Sequence, residues 1–253
     1  MKSNKKLGLY AGLFLFAVGL IIGLVFNGLA VWGDLEGMSF WGYPESISFD
    51  SSLTAEARIS KLKCPVMITP GETGTIKTTI SNPNDFAIKP WVQVHLSMPG
   101  VPENMVRQKQ EIALEPGEKR ELSWEVTTEN TIHNRAVMAR VYLLLTELHP
   151  PARTQHCGII SAKLGNLTGV QLLGGTISLS LTLLASGTYI WWRSSTVTMK
   201  RENRVLKFML WLSAMMIVCT LTSLLGFWVL GLIILILALL LLISTLDYLL
   251  ISK

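Results

Sequence analysis

Charge is scarce in this chain: Asp, Glu, Lys and Arg make up 15% of its 253 residues, where soluble domains carry about a quarter. Histidine is missing from every long apolar run. All four histidines, His95, His133, His149 and His156, fall in one stretch between those runs. Ionisable side chains inside a membrane mark ion paths and proton relays. Only Lys207 and Asp247 come close, each near the end of a run where it reaches water. Asn27 and Gln171 are polar but stand near the outer ends. These absences argue against a pump, a carrier or a haem-type redox core built from this chain alone. Catalytic signatures are missing as well, with no Gly-x-Ser-x-Gly, no His-Glu-x-x-His and no phosphate-cradling glycine loop. Glu111, Glu115, Glu118, Glu121 and Glu125 are spaced as a solvated face, not as a catalytic carboxylate pair.

What the chain has is apolar sequence, with 50% hydrophobic residues and a mean hydropathy of +0.44. Leu7 to about Trp32 is long enough to cross a bilayer core of about 30 Å at 1.5 Å per residue. It exceeds a signal-peptide core, and Trp32-Gly33-Asp34-Leu35-Glu36 offers no small-x-small cleavage site. It reads as a retained anchor. A second span covers 168–192. Phe208 to Leu246 is too long for one span, and a split near Leu225-Gly226-Phe227-Trp228 gives spans 206–225 and 228–249.

The net charge of +5 is placed for topology and not for nucleic acid. Lys2, Lys5 and Lys6 precede the first run, while Arg193, Lys200, Arg201, Arg204 and Lys207 lie between two later ones. Short basic segments stay cytoplasmic. The sequence therefore predicts a multi-pass plasma (cytoplasmic) membrane protein with both termini inside. Residues 1–6 form a basic tail, 7–32 the first span and 193–205 a basic cytoplasmic loop. An aromatic linker, 33–54, and a soluble-looking insert, 55–165, lie outside.

Two small-residue seams predict contact with another helix, where close backbone approach replaces the missing hydrophobic drive. One is Gly8, Gly12, Gly19 and Gly23; the other is Gly174, Ser178, Thr182 and Ser186. Their plainer readings are that glycine is common in membrane helices and that hydroxyls bond back to their own carbonyls. Trp32, Trp41 and Tyr43 at the membrane exit, and Trp191 and Trp192 closing the second span, suit the headgroup region.

The insert reads as about seven strands, near 58–68, 74–81, 90–98, 105–114, 119–127, 136–146 and 155–163. Alternation supports them: Val92, Val94, Leu96 and Met98 oppose Gln93, His95 and Ser97, and Leu122, Trp124 and Val126 oppose Ser123, Glu125 and Thr127. Val137, Ala139, Val141, Leu143 and Leu145 line another inner face. Side chains alternate with period two, so each set covers a core from one side. Pro70-Gly71, Asn82-Pro83-Asn84-Asp85, Pro99-Gly100 and Pro116-Gly117 supply turns. The predicted fold class is an α-helical membrane protein of four spans carrying an all-β immunoglobulin-like sandwich between spans one and two.

Residues 62–127 also resemble the bacterial extracytoplasmic immunoglobulin-like or fibronectin-III-like β-sandwich modules. The resemblance rests on Thr69-Pro70-Gly71-Glu72, then Ser81-Asn82-Pro83, then Leu114-Glu115-Pro116-Gly117-Glu118. It covers under half the chain and implies an adhesive, spacing or partner-docking unit.

Cys64 and Cys157 stand near the first and last strands. In an oxidising compartment they are able to pair, closing a loop of about 94 residues worth roughly 4–5 kcal/mol; free buried thiols are the alternative. Cys219 reads as a packing residue. A copper site of two His, one Cys and a weak Met is conceivable at His156-Cys157 with His95 or His149, but no His or suitable Met closely follows Cys157. No metal ligand, cofactor or catalytic residue is assigned.

Asn166-Leu167-Thr168 matches a glycosylation acceptor beside the membrane. The leading expectation is a non-enzymatic accessory or scaffolding subunit whose partners are membrane lipid and other membrane proteins, with no nucleic acid. The alternatives are a ligand or metal receptor and an interfacial lipid or glycan enzyme acting near Phe40–Pro44 and 147–156.

Overall fold

The computed structural model describes residues 2–41, 57–99, 105–132, 135–144, 153–195 and 200–251. Tyr43 and the rest of 42–56, with His133 and His149, lie outside these residues. Four helices, α1 (Lys2–Phe40), α2 (Gly169–Ser194), α3 (Lys200–Leu224) and α4 (Trp228–Ile251), are each long and apolar enough to cross a membrane. The chain forms two compact units, a helical one of residues 1–31 with 173–253, and a β unit of residues 32–172.

In the helical unit, glycines let two backbones meet. A Cβ on Gly12 would lie 2.8 Å from Trp191 N and 2.9 Å from the Gly187 carbonyl oxygen, and one on Gly19 would lie 2.9 Å from Ser180 O. The Ser180 hydroxyl donates to the Gly19 carbonyl at 2.8 Å. Gly8 meets the Ser194 hydroxyl, and Gly23 faces Ser180 and Met216. The α2 side of this crossing is Ser180, Leu184, Gly187 and Trp191, not the 174/178/182/186 ridge. Gly174, Ser178 and Thr182 are exposed and Ser186 is half-buried.

Two further positions differ from the sequence reading. Trp191 is buried in the helical core, so of the predicted closing pair only Trp192 projects outward. Asn27 is fully buried, not wet. Its amide donates to Gly23 O and Thr220 Oγ1, and its carbonyl accepts from Ser223 at 3.1 Å. A buried amide requires such partners. Gly226, with φ of 66°, ends α3 as a left-handed cap and sets the hairpin to α4.

The β unit contains β1 (Arg58–Ile59), β2 (Met67–Ile68), β3 (Thr73–Ser81), β4 (Trp91–Ser97), β5 (Met105–Glu111), β6 (Lys119–Thr127), β7 (Thr131–Ile132), β8 (Ala136–Leu144) and β9 (Arg153–Ser161). The expected all-β immunoglobulin-like sandwich is not what these strands form. Among the described residues, one sheet has three strands, in order β1-β3-β6. The other is a mixed six-stranded sheet, in order β2-β9-β8-β4-β5 with β7 on β8, and β2 runs parallel to β9. The predicted first strand, 58–68, is two short pieces in different sheets. Pro65, which has no N–H to give a ladder, stands between them.

A helix end also covers the outer face of the larger sheet. All nine positions of β8 are buried. Val137, Ala139, Val141 and Leu143 join the inner core, while Ala136 and Met138 pack with Trp41 and Phe40 at the end of α1. Burial at successive positions is the mark of a strand covered on both sides. A two-layer all-β fold has no such helical cover. β5, the edge of this sheet among the described residues, keeps Arg107, Lys109 and Glu111 exposed, and charge on an edge strand discourages pairing with other chains.

Candidate functional site

The cover over the larger sheet encloses a polar cluster. His95 on β4 is 4% exposed, Arg140 on β8 6% and Trp41 6%. His95 and Arg140 face each other because β4 and β8 pair antiparallel with these residues in register. The Arg140 guanidinium lies 3.0 Å from His95 Nδ1. Arginine has only donors, so Nδ1 accepts and the neutral ring carries its hydrogen on Nε2. That nitrogen donates to the Tyr142 hydroxyl 2.8 Å away. The guanidinium sits 4.7 Å from the centre of the Trp41 ring and 5.0 Å from that of Tyr142, an arrangement that stabilises a desolvated cation.

Trp41 is therefore not an interfacial residue of the aromatic linker. Residues 33–40 of that linker are helical, and Trp41 closes the cluster. Trp32, by contrast, is 60% exposed and its indole donates to Glu36 at 2.9 Å.

Burial, then the nearby Arg140 and Arg107 charges, push the His95 imidazole down to about 4. Its ordinary value is 6.5, so the unfolded chain binds the extra proton first. Stability from this group is fully present above pH 6.5 and is lost as pH falls toward 4, by at most about 1.4 kcal/mol per pH unit. We expect the unfolding midpoint of the β unit to drop across that window in wild type and to flatten in His95→Gln. Thermal unfolding of the full chain in detergent at pH 7 and pH 4.5 checks this, and an unchanged slope in the variant refutes it.

A second cluster lies where α1 meets β9. Gly33 and Gly37, one turn apart, press on the backbone of Cys157 and Gly158. A Cβ on Gly37 would stand 2.9 Å from Cys157 C and Gly158 N, and one on Gly158 would overlap Gly33's carbonyl. Between the two glycines, Asp34 accepts from the Gly158 N–H and interacts with the Lys61 charge. Burial pushes the Lys61 ammonium down, partly offset by Asp34. Burial and Lys61 push the His156 imidazole down too. Cys157 is joined to Cys64 by a disulfide across a separation of 93 residues.

Glu72 of the first Pro-Gly-Glu turn makes a third contact. Its carboxylate accepts from Gly169 N at 2.7 Å and from both Thr69 N and Thr69 Oγ1 at 3.0 Å. The Gly169 amide above all holds its carboxyl below the usual range. A carboxylate is favoured at a helix start, where backbone N–H groups lack partners. Gly71, φ 83°, makes the turn that aims Glu72 there. Thr168, part of the glycosylation-like tripeptide, caps α2 by exchanging hydrogen bonds with Gln171.

Among the described residues, no three His, Cys, Asp or Glu side chains converge as metal ligands do. Cys157 is committed to its disulfide, and His95 uses both ring nitrogens beside a guanidinium. The weighed His156-Cys157-His95 copper set is therefore not assembled. The sequence reading weighed His95 only as a copper ligand and missed Arg140, Tyr142 and Glu72 as site residues. The one signal was an Arg within the apolar β8 run; Glu72 stands 97 residues before Gly169, so no local pattern pointed to their contact.

No family model matches the chain, and no curated protein matches it. Solved structures similar to the β unit include the CARDB domain of the PF1109 protein from Pyrococcus furiosus. That match has 11% identity and a TM-score of 0.33, and it covers 42% of this chain and 88% of that one. Another is a β-glucosidase from Listeria innocua, at 19% identity and TM-score 0.33, covering 43% of this chain and 16% of the enzyme. Likenesses this weak transfer neither activity nor partners.

Proposed function

We propose that this is a non-enzymatic membrane subunit that carries its β unit on the extracytoplasmic side and joins a larger assembly through a helix face. The observation that carries the reading is on α2. Among the described residues, nothing beyond the local helix backbone lies within 4 Å of where a Cβ on Gly174 or Gly175 would stand, while Gly12, Gly19 and Gly187 are filled by internal contacts. A small-residue face left open in a membrane helix favours the close approach of another helix. The disulfide favours an oxidising compartment for the β unit, and the basic residues around 193–207 favour the cytoplasm for the opposite side.

Isolation from the native membrane in mild detergent, followed by mass spectrometry of the sized complex, tests this. A stoichiometric partner is expected in the wild type, and Gly174→Leu/Gly175→Leu is expected to release it. A chain that sizes alone removes the proposal.

A further inference from the structure

A groove of about 580 Å³ runs between α2 and α3, within the size range of small-ligand sites. Leu181, Ala185 and Trp192 form one wall, and Leu206, Leu210 and Ile217 the other. Two features set it apart from a plain apolar flank.

At one end, Tyr189 and Trp192 line the groove with ring centres 6.1 Å apart. The Tyr189 hydroxyl accepts from the exposed Arg193 guanidinium at 3.4 Å. A cation is thus held beside two lining residues, at the basic end of α2. Ser213 also lines the groove, its hydroxyl buried and without a hydrogen-bond partner among the described residues. The apolar side of a second helix brings no anion to Arg193. A phospholipid meets both demands, hydrocarbon for the walls and phosphate for the guanidinium.

We propose that the α2–α3 groove binds an anionic phospholipid, one acyl chain lying between the walls and the phosphate at Arg193. The site rests on the reading that these helices cross a bilayer.

The full chain is first tested for retention in alkali-washed membranes, then purified in mild detergent. It is titrated by native mass spectrometry with phosphatidylglycerol and phosphatidylcholine of identical chains. The wild type is expected to hold phosphatidylglycerol about tenfold more tightly, on the strength of one charge-assisted contact. Arg193→Gln is expected to erase that preference. Ala185→Trp, which fills the exposed groove wall, is expected to lower retention of both lipids.

Equal retention of the two lipids by wild type overturns the site, whether or not the variants fold. So does an Arg193→Gln chain that keeps its preference, or a protein segment cross-linked in the groove. Loss of the chain from washed membranes overturns the bilayer reading itself and the proposed function with it. Equal lipid retention by a well-embedded chain overturns only the lipid site.

Discussion

Gly158→Ala is expected to destabilise the β unit by about 3 kcal/mol or more, at the upper end of overpacking costs. The added methyl has no free volume, because it meets the backbone of Gly33, carbonyl included, and not the end of a flexible side chain. Relief demands that α1 lift from β9. Lifting breaks the Asp34 contact to the Gly158 N–H and opens the packing of Phe40 and Trp41 on Ala136 and Met138. Gly28 is the internal control, since among the described residues nothing beyond the local helix backbone stands within 4 Å of its Cβ position. Alanine there should be neutral or slightly stabilising, by about 0.5–1 kcal/mol, as in any unstrained helix. Hydrogen exchange on β8 and β9 of the full-length protein reads the difference. Equal protection in the two variants would show that the crossing is looser than its geometry states.

Removal of the disulfide, as Cys64→Ala/Cys157→Ala, is expected to have the other large effect. Its 93-residue separation puts the lost constraint on the unfolded chain at roughly 4–5 kcal/mol. Cys157 is also nearly buried at 5% exposure, so a small cavity adds to the loss. The bond ties the crossing between β1 and β2 to β9, which otherwise depend on short ladders of two residues each. Exchange should rise first at Ile59–Ile68 and in β9, while the nine-pair β3–β6 ladder stays protected longer. Uniform exchange across both sheets would place the stabilisation elsewhere.

The sequence made the inner core legible and hid the outer one, for a physical reason. Val92, Val94 and Leu96 alternate with polar residues, and all three are buried as that period requires. The same rule assigns His95 to water, yet it is buried too. Alternation reports which residues share a face, not whether something covers that face. The cover comes from Phe40 and Trp41, beyond a Gly-Asp-Leu-Glu-Gly stretch that looks like the end of a membrane helix. Those glycines are instead the condition for helical contact with β9. The cysteine pair was readable because Cys64 and Cys157 stand near the first and last strands of one insert. The lone proline that divides residues 58–68 between two sheets gave too little signal to override a good hydrophobic pattern. On α2, Gly174, Ser178, Thr182 and Ser186 step by four residues, and the true contact row Ser180, Leu184, Gly187 and Trp191 steps by four, three and four, both of them helical spacings. Periodicity alone does not choose between two rows of one helix.

β8 has no wet side, and that bears on how this protein can change. In β3 and β6 every second residue faces solvent over much of the strand, so half of their positions can drift while the hydrophobic ones are kept. β8 offers no such alternation: Val137 and Val141 answer to one core, Met138, Arg140 and Tyr142 to another. A replacement that suits one layer still has to leave the backbone in register for the next residue, which belongs to the opposite layer. In any set of natural variants of this chain, the middle of β8 is where differences should be rarest, and those that occur should come in compensating pairs.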